Sequence, residues 1–146
     1  MGIVLMLLLT ALFYAIYNVF IKISSTAMHP LLGMLMLQAG AIGLGIGALV
    51  YVKYFSGIPA VFSQKGVVFG LLAGFFVVCA EATSFYVFSK GVSASIGIPV
   101  IIGGSVVISA LIGAIFLKEY LTPIQMGAVL LIVTGVIILT NNGKAV

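Results

Sequence analysis

"SIGIPVIIGGSVVISALIGAIFL", residues 95–117, contains no charged side chain. A hydrocarbon layer about 30 Å thick is crossed by roughly 20 apolar residues rising about 1.5 Å each, so this run can span a bilayer as one α-helix. Its apolar residues are continuous rather than alternating, and the run is far longer than a strand, which argues against a barrel. Working outward, four more segments have the same character. The predicted helices cover approximately 3–23, 31–52, 67–89, 95–117 and 121–140. The expected fold is an all-α integral membrane protein with five transmembrane helices, a single membrane domain over residues 1–146.

The composition points the same way. The chain is 64% hydrophobic and only 5% charged, whereas a soluble domain carries about a quarter charged residues to coat its surface. A mean hydropathy of +1.43 makes lipid the expected solvent and the expected partner. The 18 glycines fit too, because membrane helices tolerate glycine better than soluble ones do. The six lysines are scattered, so a nucleic-acid partner has no basic patch to use. Cys79 and His29 are each the single residue of their type, and no metal-ligand spacing surrounds either. With no nucleophile–base set, metal cluster or phosphate loop, an enzyme is not expected, nor is a cofactor. The opening "MGIVLMLLLT" lacks the basic region of a signal peptide, and Met6 breaks a myristoylation pattern. It reads as the start of a retained first helix.

The connections are short. "SSTAMHP" ends in Pro30, suited to a first helical turn. "KYFSGIPAVFSQKG" is the longest; Gly57 and Pro59 break helix there, and its aromatics suit the interface. "SKGVS" and "KEY" are tight turns, the latter followed by Thr122 and Pro123 as cap and first position of helix five.

Orientation is the first surprise. Lysines in short loops orient membrane proteins. Five helices place the termini on opposite sides, here called A (the N-terminal side) and B. Side A carries Lys53, Lys65 and Lys118; side B carries Lys22, Lys90 and Lys144. The tie suggests dual topology, with copies inserted both ways and paired antiparallel; the other reading is that a partner fixes one orientation. An odd helix count makes inversion natural, since a tandem copy would begin on the opposite side, and many transporters are inverted repeats.

Polar residues inside such helices are expensive and mark pathways. At 1.5 Å per residue, Asn18, Glu81, Thr134 and Gln38 come out about 22, 21, 20 and 20 Å from side A, and Ser105 about 15 Å. All five helices therefore place a polar group at a similar level. A cavity lined by Asn18, Gln38, Glu81 and Ser105 is expected, with Tyr14 and Tyr17 on the face of Asn18. In an antiparallel pair the two levels would lie about 10 Å apart and border one central site. The plainer reading is that Asn18 and Gln38 bond between helices as polar glue, and that the tyrosines fill space. Ser105, Ser109 and Gly113 recur every four residues, a stripe that permits close helix packing. Lys22 is expected at a helix end, snorkelling to side B. Lys118 and Glu119 read as an exposed turn pair of small energetic value. Pro99 leaves the carbonyl one turn earlier without a helical donor, so it is expected to kink helix four and open backbone to a cavity.

Residues 94–136 carry a recognisable pattern: Pro99 early in helix four, "FLKEYLT" at 116–122, Gln125–Gly127 and "LLIVTGV" at 130–136. This resembles the closing two helices of the drug/metabolite transporter superfamily, EamA type. "YAIYNVFIK" (14–22) looks like that family's Trp-Gly…Asn…Lys pattern, with Tyr14-Ala15 where Trp-Gly is usual. The family's last-helix spacing Gly-x-x-Leu-Ile-x-x-Gly falls on Ala128 and Gly135, with Gly127 one place early. The resemblance implies an α-helical transporter of small metabolites or drugs in a membrane, expected to be a prokaryotic cytoplasmic one. It also implies that this chain is one inverted-repeat half of a ten-helix transporter, in agreement with the lysine tie. The expected function is export of a small organic solute by alternating access, as an antiparallel homodimer or with a homologous hetero-partner. The alternatives are a small-multidrug-resistance-like cation/proton antiporter, a lipid-carrier flippase and a non-transporting accessory subunit.

Glu81 is the sharpest candidate. An uncompensated charge at its depth costs on the order of several kcal/mol, so the carboxylate is neutral, meets water or holds a cation. A carboxylate that gains and loses a proton there can exchange it for a cationic substrate. The alternative is a protonated glutamate hydrogen-bonded within the bundle, for example to Asn18 or Ser84.

Overall fold

The computed structural model describes residues 2–56 and 63–142. Among them are five long helices and no strand: α1 (Gly2–Ala27), α2 (Pro30–Tyr51), α3 (Gln64–Ser89), α4 (Ala94–Phe116) and α5 (Pro123–Asn142). Each is long and apolar enough to cross a membrane. The all-α, five-span expectation therefore holds. Gly57, Pro59 and Lys144, on which the longest connection and part of the lysine count depend, lie outside the described residues.

The helix ends show how local chemistry overrides apolar pattern. α1 runs past the expected end at residue 23 to Ala27. The small hydroxyl residues there bond back into their own helix: Ser25 Oγ donates to the Lys22 carbonyl and Thr26 Oγ1 to the Ile23 carbonyl, both at 2.8 Å. What stops the helix is Pro30, which disfavours helical geometry in the residue before it. That residue, His29, caps α2, its Nδ1 accepting from the Leu31 N–H at 3.3 Å. α2 continues into a π-helical turn at Val52–Ser56, where the Tyr51 and Phe55 rings stack at 5.5 Å. Ser63 opens α3, its Oγ accepting from the Gly66 N–H at 3.0 Å.

α3 and α4 are joined by a short turn in which Gly91 takes φ +97°, a conformation glycine adopts without steric cost. The α4–α5 connection is longer than "KEY". The Gly113 carbonyl accepts from both the Leu117 and the Glu119 N–H at 3.1 Å, and Lys118 between them sits at φ 57°. The Glu119 carboxylate folds back, with Oε2 3.4 Å from where a Cβ on Gly113 would lie. Among the described residues Lys118 and Glu119 form no ion pair; each serves the turn separately. α5 then begins at Pro123, two residues after the expected 121, because Thr122 is its cap. Thr122 Oγ1 accepts from the Gln125 N–H at 3.3 Å, and Gln125 Oε1 accepts from the Thr122 N–H at 2.8 Å. This reciprocal box satisfies two amides that the first turn leaves without helical partners. Thr122→Ala should therefore cost about 1 kcal/mol, read as a lower unfolding midpoint in bicelles with faster amide exchange confined to the first turn of α5; an unchanged midpoint would mean the box contributes nothing.

The described contacts fall into two compact units: residues up to Val19 with those from Lys90 onward, and Phe20–Ser89. In the first, α4 packs against α5. They approach closely at Gly103, where a Cβ would meet Val136 Cγ2 at 2.6 Å and Ile132 Cγ2 at 3.4 Å. In the second, α2 packs against α3 with Gly33 against the Phe85 ring. Phe85 and Phe88 are 1% and 0% exposed, whereas leucines, isoleucines and phenylalanines along every helix are largely exposed. That distribution is the reverse of a water-soluble core and suits a hydrocarbon surround.

Candidate functional site

The polar residues predicted at one level divide into two kinds. Ser105 and Thr134 are exposed, and each hydroxyl is satisfied within its own helix: Ser105 Oγ by the Ile102 carbonyl at 2.8 Å, Thr134 Oγ1 by the Leu130 carbonyl at 2.9 Å. Back-bonding of this sort lets a hydroxyl sit in an apolar medium without a second helix. Asn18 is 6% exposed, and its Nδ2 donates to the Tyr14 carbonyl at 2.7 Å. Its amide nitrogen therefore bonds along α1. Tyr14 and Tyr17 stand edge to face at 6.1 Å between ring centroids; Tyr14 is exposed and Tyr17 half-buried.

Glu81 and Gln38 are the second kind. Glu81 is 8% exposed and Gln38 is half-buried. Glu81 Oε2 and Gln38 Nε2 are both buried, and neither has a hydrogen-bond partner among the described residues. A Glu81 hydrogen bond to Ser84, one of the expected alternatives, is absent among those residues. Buried polar atoms without partners are rare, because each forfeits about 1–3 kcal/mol of hydration.

The register of α2 and α3 places these two residues together in height. Gly33, near the start of α2, meets Phe85, near the end of α3, so the helices run antiparallel. From that contact Gln38 is five residues further along α2, about 7.5 Å, and Glu81 four residues back along α3, about 6 Å, in the same direction. A carboxylate oxygen and an amide donor are thus held at one level on adjacent helices. The chemistry of this pair suits a ligand that offers a cation or acidic proton to Glu81 and an acceptor to Gln38.

The remaining predicted residues are distributed as follows. Pro99 lies exposed in the second turn of α4, which continues through it to Phe116. On the stripe, Ser109 is exposed and Gly113 is buried, where it meets the Glu119 carboxylate. Ala128 is exposed, and Gly135 has no neighbour within 4 Å of a would-be Cβ. Among the described residues no three His, Cys, Asp or Glu side chains form a metal-ligand group.

Lys22 requires a correction. It is not at a helix end but more than a turn inside α1, half-buried, and its Nζ donates to the Phe88 carbonyl at 3.1 Å. It also stands 5.8 Å from the Phe88 ring centroid, within cation–π range. The cluster of Lys22, Gly33, Phe85 and Phe88 was not legible from hydropathy, since each residue is ordinary for its segment. Glycine near one helix start and aromatics at i, i+3 near another helix end were the only hints.

The family comparison agrees with this architecture: residues 1–141 match the model of the EamA-like transporter family. No curated protein and no solved structure shows a significant match to the chain.

Proposed function

The chain belongs to the EamA-like transporter family, and from that premise we propose that it exports a small organic solute by alternating access, as an antiparallel homodimer coupled to protons through Glu81. The coarse part of this reading, an integral membrane transporter of small solutes, follows from the family and the five apolar spans. The proton-coupled substrate site is supported by one observation: a buried carboxylate oxygen and a buried amide nitrogen at one level of α2 and α3, both without partners among the described residues.

In this mechanism Glu81 is ionised when it holds a cationic substrate and protonated when the substrate has left. Each state is compatible with an apolar wall, because the charge is either balanced or absent. Gln38 Nε2 supplies a directional donor. Taken by itself, the edge-to-face Tyr14–Tyr17 pair offers aromatic faces of the kind that attract organic cations.

Two inverted copies supply the opposed halves that alternating access requires. The tie of three lysines on each side leads to a direct test. C-terminal reporters that are active on opposite sides of a prokaryotic cytoplasmic membrane should both give signal, at comparable levels. Gln64→Lys combined with Lys90→Gln changes the count from three against three to four against two, and should drive the population to one orientation. A single clean orientation of the unmodified chain would remove the antiparallel homodimer and leave a homologous hetero-partner. Purified protein in liposomes that moves no solute alone would instead support an accessory subunit.

A further inference from the structure

Burial in Phe20–Ser89 is confined to one end. Ile21, Ser25, Gly33, Glu81, Phe85 and Phe88 are buried, while α2 from Ala39 to Tyr51 and α3 from Gln64 to Ala80 carry no buried residue. The closed end lies immediately beyond the Glu81–Gln38 level. Phe85 is one turn above Glu81 on α3, and Phe88 three residues further.

The bond that ties α1 to this end is unlike the packing around it. The Phe88 carbonyl belongs to the last turn of α3, where carbonyls have no helical donor. Lys22 Nζ fills that need at 3.1 Å, and a cation is favoured there by the negative end of the helix dipole. The ammonium also stands 5.8 Å from the Phe88 ring centroid. A Lys side chain is a strongly hydrated point charge on a flexible stem, so water can replace its carbonyl contact. Phe85, in contrast, fits against Gly33 so closely that no Cβ could be accommodated without a shift.

We propose that Lys22 is the latch of a gate at this end of the site. With its ammonium on the Phe88 carbonyl, Phe85 and Phe88 close the route from this end to Glu81 and Gln38; with the ammonium released to water, α1 and the end of α3 part. Lys22 is a positioning residue: it touches neither Glu81 nor Gln38 and acts through Phe88. The inference rests on the transport reading above.

The test reads the gate without depending on flux. Spin labels are placed at Thr26→Cys and Ser89→Cys in a Cys79→Ser background. The labelled protein is reconstituted in vesicles with excess unlabelled protein, and the label separation is measured by pulsed electron resonance. Two populations are expected, short and long. Lys22→Met should lower the ratio of short to long by at least about tenfold, the scale of one hydrogen bond to a charged group. Lys22→Arg, which keeps a cationic donor, should retain the short population and guards against a folding artefact. A single short distance in the parent, unchanged by Lys22→Met, would overturn the latch and make the cluster permanent packing. Movement of a radiolabelled quaternary ammonium cation is followed in the same vesicles. Two distances that respond to Lys22→Met with no flux support the latch and count against the transport reading. Flux with one fixed distance does the reverse.

Discussion

Glu81→Gln should abolish the response of solute movement to an imposed pH gradient, while leaving the protein folded. The substitution keeps the shape and the buried acceptor but removes the group that can carry a proton. Loss of the negative charge also removes the partner of a bound cation. Deleting one side of a buried charged contact costs about 2 kcal/mol or more, so binding of a quaternary ammonium probe should weaken at least about thirtyfold. Stability should change little or rise, because Oε2 has no partner among the described residues and a neutral amide is less costly to keep from water than a carboxylate. That combination, lost coupling with retained stability, separates the proposed role from a structural one. A Glu81→Gln protein with the parent's flux and the parent's pH response would sink proton coupling through this residue, whatever the fate of the homodimer.

Gly33→Val should be the most damaging single change to the fold. A Cβ at residue 33 would lie 2.8 Å from Phe85 Cδ1 and closer still to Cε1. The ring is 1% exposed and has no open side to turn toward. Overpacking of this kind costs about 1–3 kcal/mol, and a β-branched residue belongs at the upper end, because its stiff side chain cannot turn away. The unfolding midpoint in bicelles should fall accordingly. Phe85→Leu, itself destabilising, should recover part of the loss when combined with Gly33→Val, with a coupling of about 1 kcal/mol or more. Strict additivity of the two changes would show that the Gly33–Phe85 contact does not hold α2 against α3. Because Gly33 also lies beside the proposed gate, Gly33→Ala is the useful intermediate: a smaller shift of the ring should raise the long-distance population before it unfolds the protein.

Much of this was legible in the sequence. Five uninterrupted apolar segments leave few alternatives to five spanning helices, because backbone polar groups in hydrocarbon must be satisfied within the segment. The pattern at 94–136 and the helix-one motif led to the family on residues that the family match covers. Pro30 and Thr122-Pro123 stood at helix starts for reasons of backbone chemistry that act over a few residues. Errors at the ends had equally local causes. Hydropathy drops at Ser24–Thr26, yet α1 runs on to Ala27 with the Ser25 and Thr26 hydroxyls satisfied inside the helix. The apolar run begins at Leu121, yet the box between Thr122 and Gln125 delays α5 to Pro123.

The candidate site was only partly legible. Counting 1.5 Å per residue brought Asn18, Gln38, Glu81, Ser105 and Thr134 to one height, but height does not reveal direction around a helix. Only the packed chain distinguishes the self-satisfied Ser105 and Thr134 from Glu81 Oε2 and Gln38 Nε2, which have no partner among the described residues. Lys22 shows the same limit. A lone lysine near the end of an apolar run is read as snorkelling, because nothing in its neighbours names a partner 66 positions away. The sequence by itself determined what is written along one dimension: number and length of spans, breaks, caps, charge balance and family. Tertiary structure alone decided which faces meet, that Gly33 receives Phe85, that Lys22 reaches Phe88, and that Glu81 Oε2 is buried with no partner among the described residues. The physical reason is that hydrophobicity in a membrane protein sets where a helix lies in the bilayer, while close packing and the satisfaction of a few polar atoms set which way it turns.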